Sequence, residues 1–293
     1  MVDVCTLTES AIPSDFKREP HRSTIELNEK ETSAMNEATA EIPVLVERRG
    51  AILVITMNRP RVRNAVNQAM SQGIAAAVDT LDNDSSLAVA ILTGTGGTFC
   101  SGMDLKAFVS GERPEIEGRG LAGISEAPPR KPLIAAVEGY ALAGGCEIML
   151  ACDLVVAAET ASFGIPEVTR GLVAGAGGLI RLPKKIPPQI ALEYALTGAH
   201  FSAVDAHRWG LINRLTPEGG ALDGAHELAR AIIKNGPLAV QATKRIVMES
   251  ASWTESEAWD RQRSIVDEVL ATDDAREGAQ AFAEKRPPVW RGK

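Results

Sequence analysis

Apolar positions follow two rhythms along this chain, and the rhythm changes about two thirds of the way through. Pro43 to Arg48 and Ala51 to Met57 are β-rich runs joined at Arg49-Gly50, which predicts a hairpin closed by Asn58-Arg59-Pro60. Asn67 to Leu81 carries Met70, Ile74, Ala77, Val78 and Leu81 at helical spacing. Leu87 to Leu92, Leu133 to Val137 and Leu154 to Ala158 are short apolar runs, as in strands covered on both faces. Ala161 to Gly164 predicts a shorter strand, and Gly175-Ala176-Gly177-Gly178 opens a helix reaching about Lys185. From Pro188 onward the spacing is helical over Ile190 to Leu196, Ala203 to Trp209, Leu222 to Lys234, Pro237 to Glu249, Glu255 to Leu270 and Asp274 to Lys285, with one strand-like run at Leu211 to Leu215. Strands alternating with helices, then helices alone, predict an α/β core followed by a C-terminal helical region. The boundaries expected are an extension over residues 1–40, a core over 41–220 and a helical region over 221–293. Residues 1–40 are polar and without period, so the extension is expected to be disordered or loosely attached. Helices that cannot all bury a face on the core are expected to pack on another copy.

Composition narrows the classes. The chain has 293 residues with 31 basic and 38 acidic side chains, a net charge of -7, and no Lys/Arg-rich run suited to nucleic acid or an anionic membrane. No apolar run approaches the roughly 18 residues of a membrane span. No basic segment followed by an apolar one opens the sequence, so a cytoplasmic protein is expected. Cys5, Cys100, Cys146 and Cys152 form no CxxC pair, and the four histidines form no HExxH, so no metal site is expected.

The chain is organised around Ile134 to Leu154. An apolar strand is broken by Gly139, followed by Ala143-Gly144-Gly145 and a compact apolar helix with Glu147 in its first turn. Such a turn leaves backbone N–H groups facing whatever lies against it. Glu147 is either a carboxylate that complements the helix dipole or one that works beside those donors. Neither Gly94-Thr95-Gly96 nor Gly175-Ala176-Gly177 completes a dinucleotide fingerprint, since Phe99 and Ile180 stand at the third glycine. Ser101 is not in a GxSxG elbow, and Cys100 has no partner that would make it a nucleophile. Three loops share one chemistry. Thr98 to Leu105 offers the Met103 N–H, Ala143 to Glu147 offers the Gly144 N–H and a carboxylate, and Phe163 to Glu167 offers a second carboxylate after a stiff proline. Two backbone donors suit an oxyanion, and two carboxylates suit one water.

On these residues the chain resembles the crotonase, or enoyl-CoA hydratase/isomerase, superfamily from about Pro43 to the C-terminus. Ile134 to Leu154 fits the family signature. Asn58-Arg59-Pro60 with Asn64-Ala65 resembles its early loop near the CoA nucleotide. Ala195 to Gly198, Trp209 to Asn213 and Ala281 to Arg286 resemble its later segments. The resemblance implies an α/β spiral of ββα units with a C-terminal helical trimerisation region, assembled as a homotrimer or a dimer of trimers. It implies hydration of a 2-enoyl-CoA thioester to 3-hydroxyacyl-CoA, with Met103 and Gly144 as the oxyanion hole, Glu167 as the acid and Glu147 holding and activating water. It implies no cofactor, coenzyme A being part of the acyl-CoA substrate. Substrate contacts are expected at Arg63, Asn64, Ser101, Leu105 and Gly175, with Asp104 more a helix cap than a chemical group. Arg181 and Lys285 are expected at CoA phosphates and Phe282 at adenine. The proline-rich Arg181 to Pro188 is also similar to a carnitinyl-CoA dehydratase branch. An enoyl-CoA isomerase and a catalytically idle acyl-CoA-binding scaffold remain as alternatives.

Overall fold

The computed structural model describes residues 42–293; the expected N-terminal extension lies outside them. Six strands, Val44–Arg49, Ile52–Met57, Val89–Gly94, Leu133–Val137, Leu154–Ala158 and Arg214–Thr216, lie side by side in chain order. The first two form the predicted antiparallel hairpin, and every later neighbour pair is parallel. Alternate side chains go to opposite faces, as the pleat requires. Leu53, Ile55, Met57, Ala90, Leu92, Ala135, Val137, Val155 and Ala157 enter the larger core cluster. Ile52, Val54, Val89, Ile91, Ile134, Ala136 and Val156 enter a second cluster on the other face. Both faces are dry across the four inner strands, which is why these read as unbroken apolar runs, while the edge strands Val44–Arg49 and Arg214–Thr216 are more exposed.

The larger core is closed by the Gln68–Asn83 helix, whose buried stripe includes Met70, Ile74, Ala77, Val78 and Leu81. Asn67 caps it by accepting the Met70 N–H at 3.1 Å. The opposite face is covered by the Ala221–Ile232 helix through Ala221, Ala225 and Ala229. That helix, assigned by sequence to the C-terminal region, therefore covers the core sheet.

A second sheet of three short strands, Tyr140–Leu142, Ser162–Gly164 and Phe201–Ser202, lies beside the first. The chain passes repeatedly from the main sheet to this small sheet and on to a helix. It does so at Leu133–Val137, Tyr140–Leu142 and Gly144–Ala151, which is one turn of a ββα spiral. Tyr140–Leu142 and Phe201–Ser202 were not foreseen, because runs of two or three residues carry too little period to stand out. Asp153, after the core helix, is structural: it accepts the Leu133 N–H at 2.8 Å and the Lys244 ammonium at 2.6 Å, tying the central strand to the Pro237–Glu249 helix.

Candidate active site

The signature stretch builds the site by steric economy. Ala143 precedes the Gly144–Ala151 helix with φ 51° and ψ −129°, a backbone conformation that L side chains rarely adopt. This turn lays the Gly144 N–H at the start of the helix. Gly102, at φ +104°, faces it: a Cβ there would lie 2.9 Å from the Ala143 Cβ and 3.1 Å from the Gly144 nitrogen. A Cβ on Gly144 would in turn lie 3.4 Å from the Met103 nitrogen. The two expected oxyanion donors are thus neighbours across a contact that only missing side chains permit. Among the described residues neither the Met103 nor the Gly144 N–H donates a hydrogen bond. Met103 is braced on both sides by Val66, which donates to the Gly102 carbonyl at 2.8 Å and accepts from the Asp104 N–H at 2.9 Å.

Asp104 caps the Leu105–Val109 helix, accepting from Lys106 and Ala107, and pairs with Arg59 at 2.9 Å. It therefore stiffens the segment that carries the Met103 donor. Leu121 closes the other side, its Cδ2 2.6 Å from where a Gly144 Cβ would stand.

Glu147 is buried, 3% exposed, inside the core helix. Its Oε1 accepts the Ala176 and Gly178 N–H groups, both at 2.8 Å. The Gly-Ala-Gly-Gly run, which sequence placed near Glu167, thus serves Glu147. A Cβ on Gly178 would stand 3.0 Å from the Glu147 Cγ, so glycine lets the loop close onto the carboxylate. Burial raises the Glu147 carboxyl above the ordinary range, opposed by the two amides and by the Arg181 charge.

Glu167 lies in the 3-10 turn Pro166–Arg170, where Pro166 sets the first position. Its Oε2 is the one side-chain carboxylate oxygen among the described residues that is buried without a hydrogen-bond partner. Burial raises its pKa, and the nearby Glu147 charge raises it further. The Glu147 charge thus reaches Glu167. The rise is opposed at Glu147 by two amides and the Arg181 charge, and at Glu167 by its own backbone and the Arg170 charge.

One expected ligand contact needs correction. Asn64 is fully buried: its Oδ1 accepts from the Arg59 N–H, and its Nδ2 donates to the Thr95 and Thr98 carbonyls at 2.9 and 2.7 Å. It knits two loops together and has nothing left for a ligand. Arg181 is half-buried, and its Nη2 donates to the Ser125 carbonyl at 2.5 Å, a partner the sequence did not suggest. Arg63 is exposed and lies over the Tyr140 ring at 5.8 Å. Ser101 donates to the Val62 carbonyl, and Leu105 and Gly175 are open to solvent. Phe282 is 87% exposed on the last helix, close in sequence to the exposed Lys285, which rules out plain core packing for the ring. The sequence reading missed Gly102, Leu121 and the Ser125–Arg181 link. Their signal is spatial, and only the glycine in Ser-Gly-Met-Asp hinted at a close approach.

Cys100, Cys146 and Cys152 are buried thiols pushed up to about 12 by burial, so none is a nucleophile. No group of His, Cys, Asp or Glu suited to a metal occurs among the described residues, and no helix there is long and apolar enough to cross a membrane.

The family description enoyl-CoA hydratase/isomerase matches residues 47–293. The chain is 45% identical over 260 residues to a Mycobacterium tuberculosis protein named enoyl-CoA hydratase EchA19, covering 85% of this chain and 96% of the relative. It is 44% identical over 254 residues to a carnitinyl-CoA dehydratase of Salmonella enteritidis, covering 84% and 97%. Among solved structures, an enoyl-CoA hydratase from Mycobacterium tuberculosis H37Rv superposes with a TM-score of 0.85 at 59% identity, over 86% of this chain and all of that one. A carnitinyl-CoA hydratase from Mycobacterium avium superposes at 0.70 with 44% identity, over 87% of this chain and all of that one. With the spiral fold, the paired amides and the paired glutamates in place, this chain belongs to the enoyl-CoA hydratase/isomerase family.

Proposed function

We propose that the chain hydrates 2-enoyl-CoA thioesters to 3-hydroxyacyl-CoA, and runs the reverse dehydration, using both glutamates. The observation that carries this reading is the unequal hydrogen bonding of two carboxyls, the buried Glu147 and the half-buried Glu167. Glu147 is gripped by two amides, and Glu167 has a buried Oε2 without a partner.

The thioester oxygen lies against the Met103 and Gly144 N–H groups and gains charge as water attacks C3. Removing one such donor in other enzymes costs roughly 3 kcal/mol. Glu147 holds the water and draws on its proton, while Glu167 delivers a proton to C2. The sum is one water added across one double bond, with no redox change and no cofactor beyond the coenzyme A of the substrate. Positioned acid–base groups of this kind contribute roughly 10²–10⁴-fold.

The functional unit is a homotrimer or a dimer of trimers. The Pro237–Glu249 helix buries no residue in the single chain, and Val247, Trp259 and Leu270 are each more than half exposed on the C-terminal helices. These apolar groups favour burial against another copy. Exposed Phe282 and Lys285 are then placed to meet the nucleotide end of coenzyme A.

The test is a screen against 2-enoyl-CoA esters of graded acyl length, following loss of the conjugated thioester absorbance. Hydration of at least one ester, abolished in Glu167→Gln while acyl-CoA binding persists, supports the reading. Equal and negligible turnover by wild type and variant across the series supports an idle acyl-CoA binder. Carnitinyl-CoA belongs in the panel, because the carnitinyl-CoA dehydratase relatives are nearly as similar as the hydratase.

A further inference from the structure

Arg181 is a charged group that the reaction as described leaves unused. It stands on the Gly178–Lys185 helix, one turn beyond the loop that grips Glu147. Its backbone N–H donates to the Gly177 carbonyl at 2.9 Å. Gly177 has φ +102°, and a Cβ there would stand 2.2 Å from the Arg181 Nη1, so the missing side chain opens the slot the guanidinium fills. The next residue, Gly178, gives Glu147 the same opening and one of its two amides. Two adjacent glycines therefore admit a guanidinium and a carboxylate to one small volume. The two side chains form no direct ion pair, yet their charges act on each other. The other end of the guanidinium donates to the Ser125 carbonyl, in the wall that also presents Leu121 to Gly144.

We propose that Arg181 is a positioning residue of the active centre: laid between the Ser125 carbonyl and the Gly177-Gly178 turn, its charge keeps Glu147 the ionised member of the glutamate pair. A carboxylate without a nearby cation in such a buried place takes up a proton more readily. With two carboxyls close together, one cation placed nearer to one of them decides which of the two holds the proton. The charged and titratable groups around the pair come from three elements. Glu167 and Arg170, a cation whose charge acts on Glu167, come from the 3-10 turn; Cys146 and Cys152, both protonated thiols, from the core helix and its cap; and Lys185 from the far end of the Arg181 helix, where it donates to the Cys152 carbonyl. Asp153 acts on Lys185 and Cys152. Among these, Arg181 is the cation whose charge acts on Glu147.

This inference rests on the hydratase reading for its consequence, but its test does not need turnover. Infrared difference titration of the full-length wild-type protein reads the carboxyl stretch directly, with Glu147→Gln and Glu167→Gln assigning the bands. In Arg181→Met the Glu147 band is expected to titrate about one pH unit higher than in wild type, a tenfold fall in the ionised fraction on its acidic limb. Arg181→Lys keeps a cation there and is expected to stay close to wild type. If the hydratase reading also holds, the acidic limb of kcat moves with the band while KM changes little. An unmoved Glu147 band in a folded Arg181→Met protein overturns the proposal, as does an equal shift in Arg181→Met and Arg181→Lys. A rise in KM with unchanged titration would return Arg181 to the coenzyme phosphates and overturn it too. Absence of turnover in wild type would count against the hydratase reading alone, since the infrared result stands by itself.

Discussion

Exchanging Glu147 for glutamine and for alanine should separate what this side chain does for the fold from what it does for the reaction. In the wild type, Oε1 satisfies the Ala176 and Gly178 N–H groups at 2.8 Å each. Glutamine keeps an acceptor oxygen at that position and sheds a buried charge, so its stability should stay within about 1 kcal/mol of wild type. Alanine removes the acceptor and orphans both amides. Each unsatisfied donor costs about 1–3 kcal/mol, with Ala176, which is only partly buried, at the low end. The sum is about 2–5 kcal/mol, or a fall in melting temperature on the order of 10 °C for a chain of this size. Both variants should lose about 10²–10⁴-fold in kcat, because both lack the carboxylate. Thermal unfolding gives the first comparison and loss of enoyl-thioester absorbance the second. If the alanine variant melts with the glutamine variant, the amides do not depend on Glu147. If the glutamine variant turns over like wild type, the carboxylate has no part in the chemistry.

Other consequences are as direct. Ala143 sits at φ 51° and ψ −129°, so Ala143→Gly should relieve strain and raise the denaturant midpoint by about 1 kcal/mol in stability. The Glu167 carboxyl is raised above its unfolded value of 4.5, chiefly by burial, so the native state binds that proton more tightly than the unfolded chain. Its contribution to stability is therefore fully present below pH 4.5 and lost as pH rises through the folded value. Glu167→Gln should accordingly gain most over wild type at neutral pH, and the gap should close in acid. Alkylation of the native protein at about pH 8, read by peptide mass, should leave Cys100, Cys146 and Cys152 unmodified until denaturant is added, since burial holds all three thiols near 12.

The inner strands of the main sheet were legible because each is a dry run covered on both faces, whereas the edge strand Arg214–Thr216 is only half-buried and starts three residues into the strand-like run Leu211 to Leu215. Leu133 to Val137 and Leu154 to Ala158 fall where the apolar pattern put them. The Val89–Gly94 strand begins two residues later than its apolar run, since Leu87 is buried before pairing starts. The loops around the two glutamates and the two backbone donors marked them as candidates, with the resemblance supplying their roles. What escaped the sequence is what depends on distant segments meeting. Nothing near Asn64 shows that its side chain will be consumed by carbonyls 31 and 34 residues away. Nothing near Arg181 shows that a carbonyl 56 residues earlier will accept from it. A polar residue in a loop has the same local pattern whether it faces a ligand or another loop.

The central claim is that two carboxyls handle one water over a thioester held by two amides, and hydration in oxygen-18 water tests it most directly. Wild-type protein given a 2-enoyl-CoA ester should yield 3-hydroxyacyl-CoA carrying one heavy oxygen at C3, with Glu147→Gln and Glu167→Gln each slower by at least about a hundredfold. Label incorporation by either glutamine variant at the wild-type rate, or none by wild type with any ester, would contradict the account.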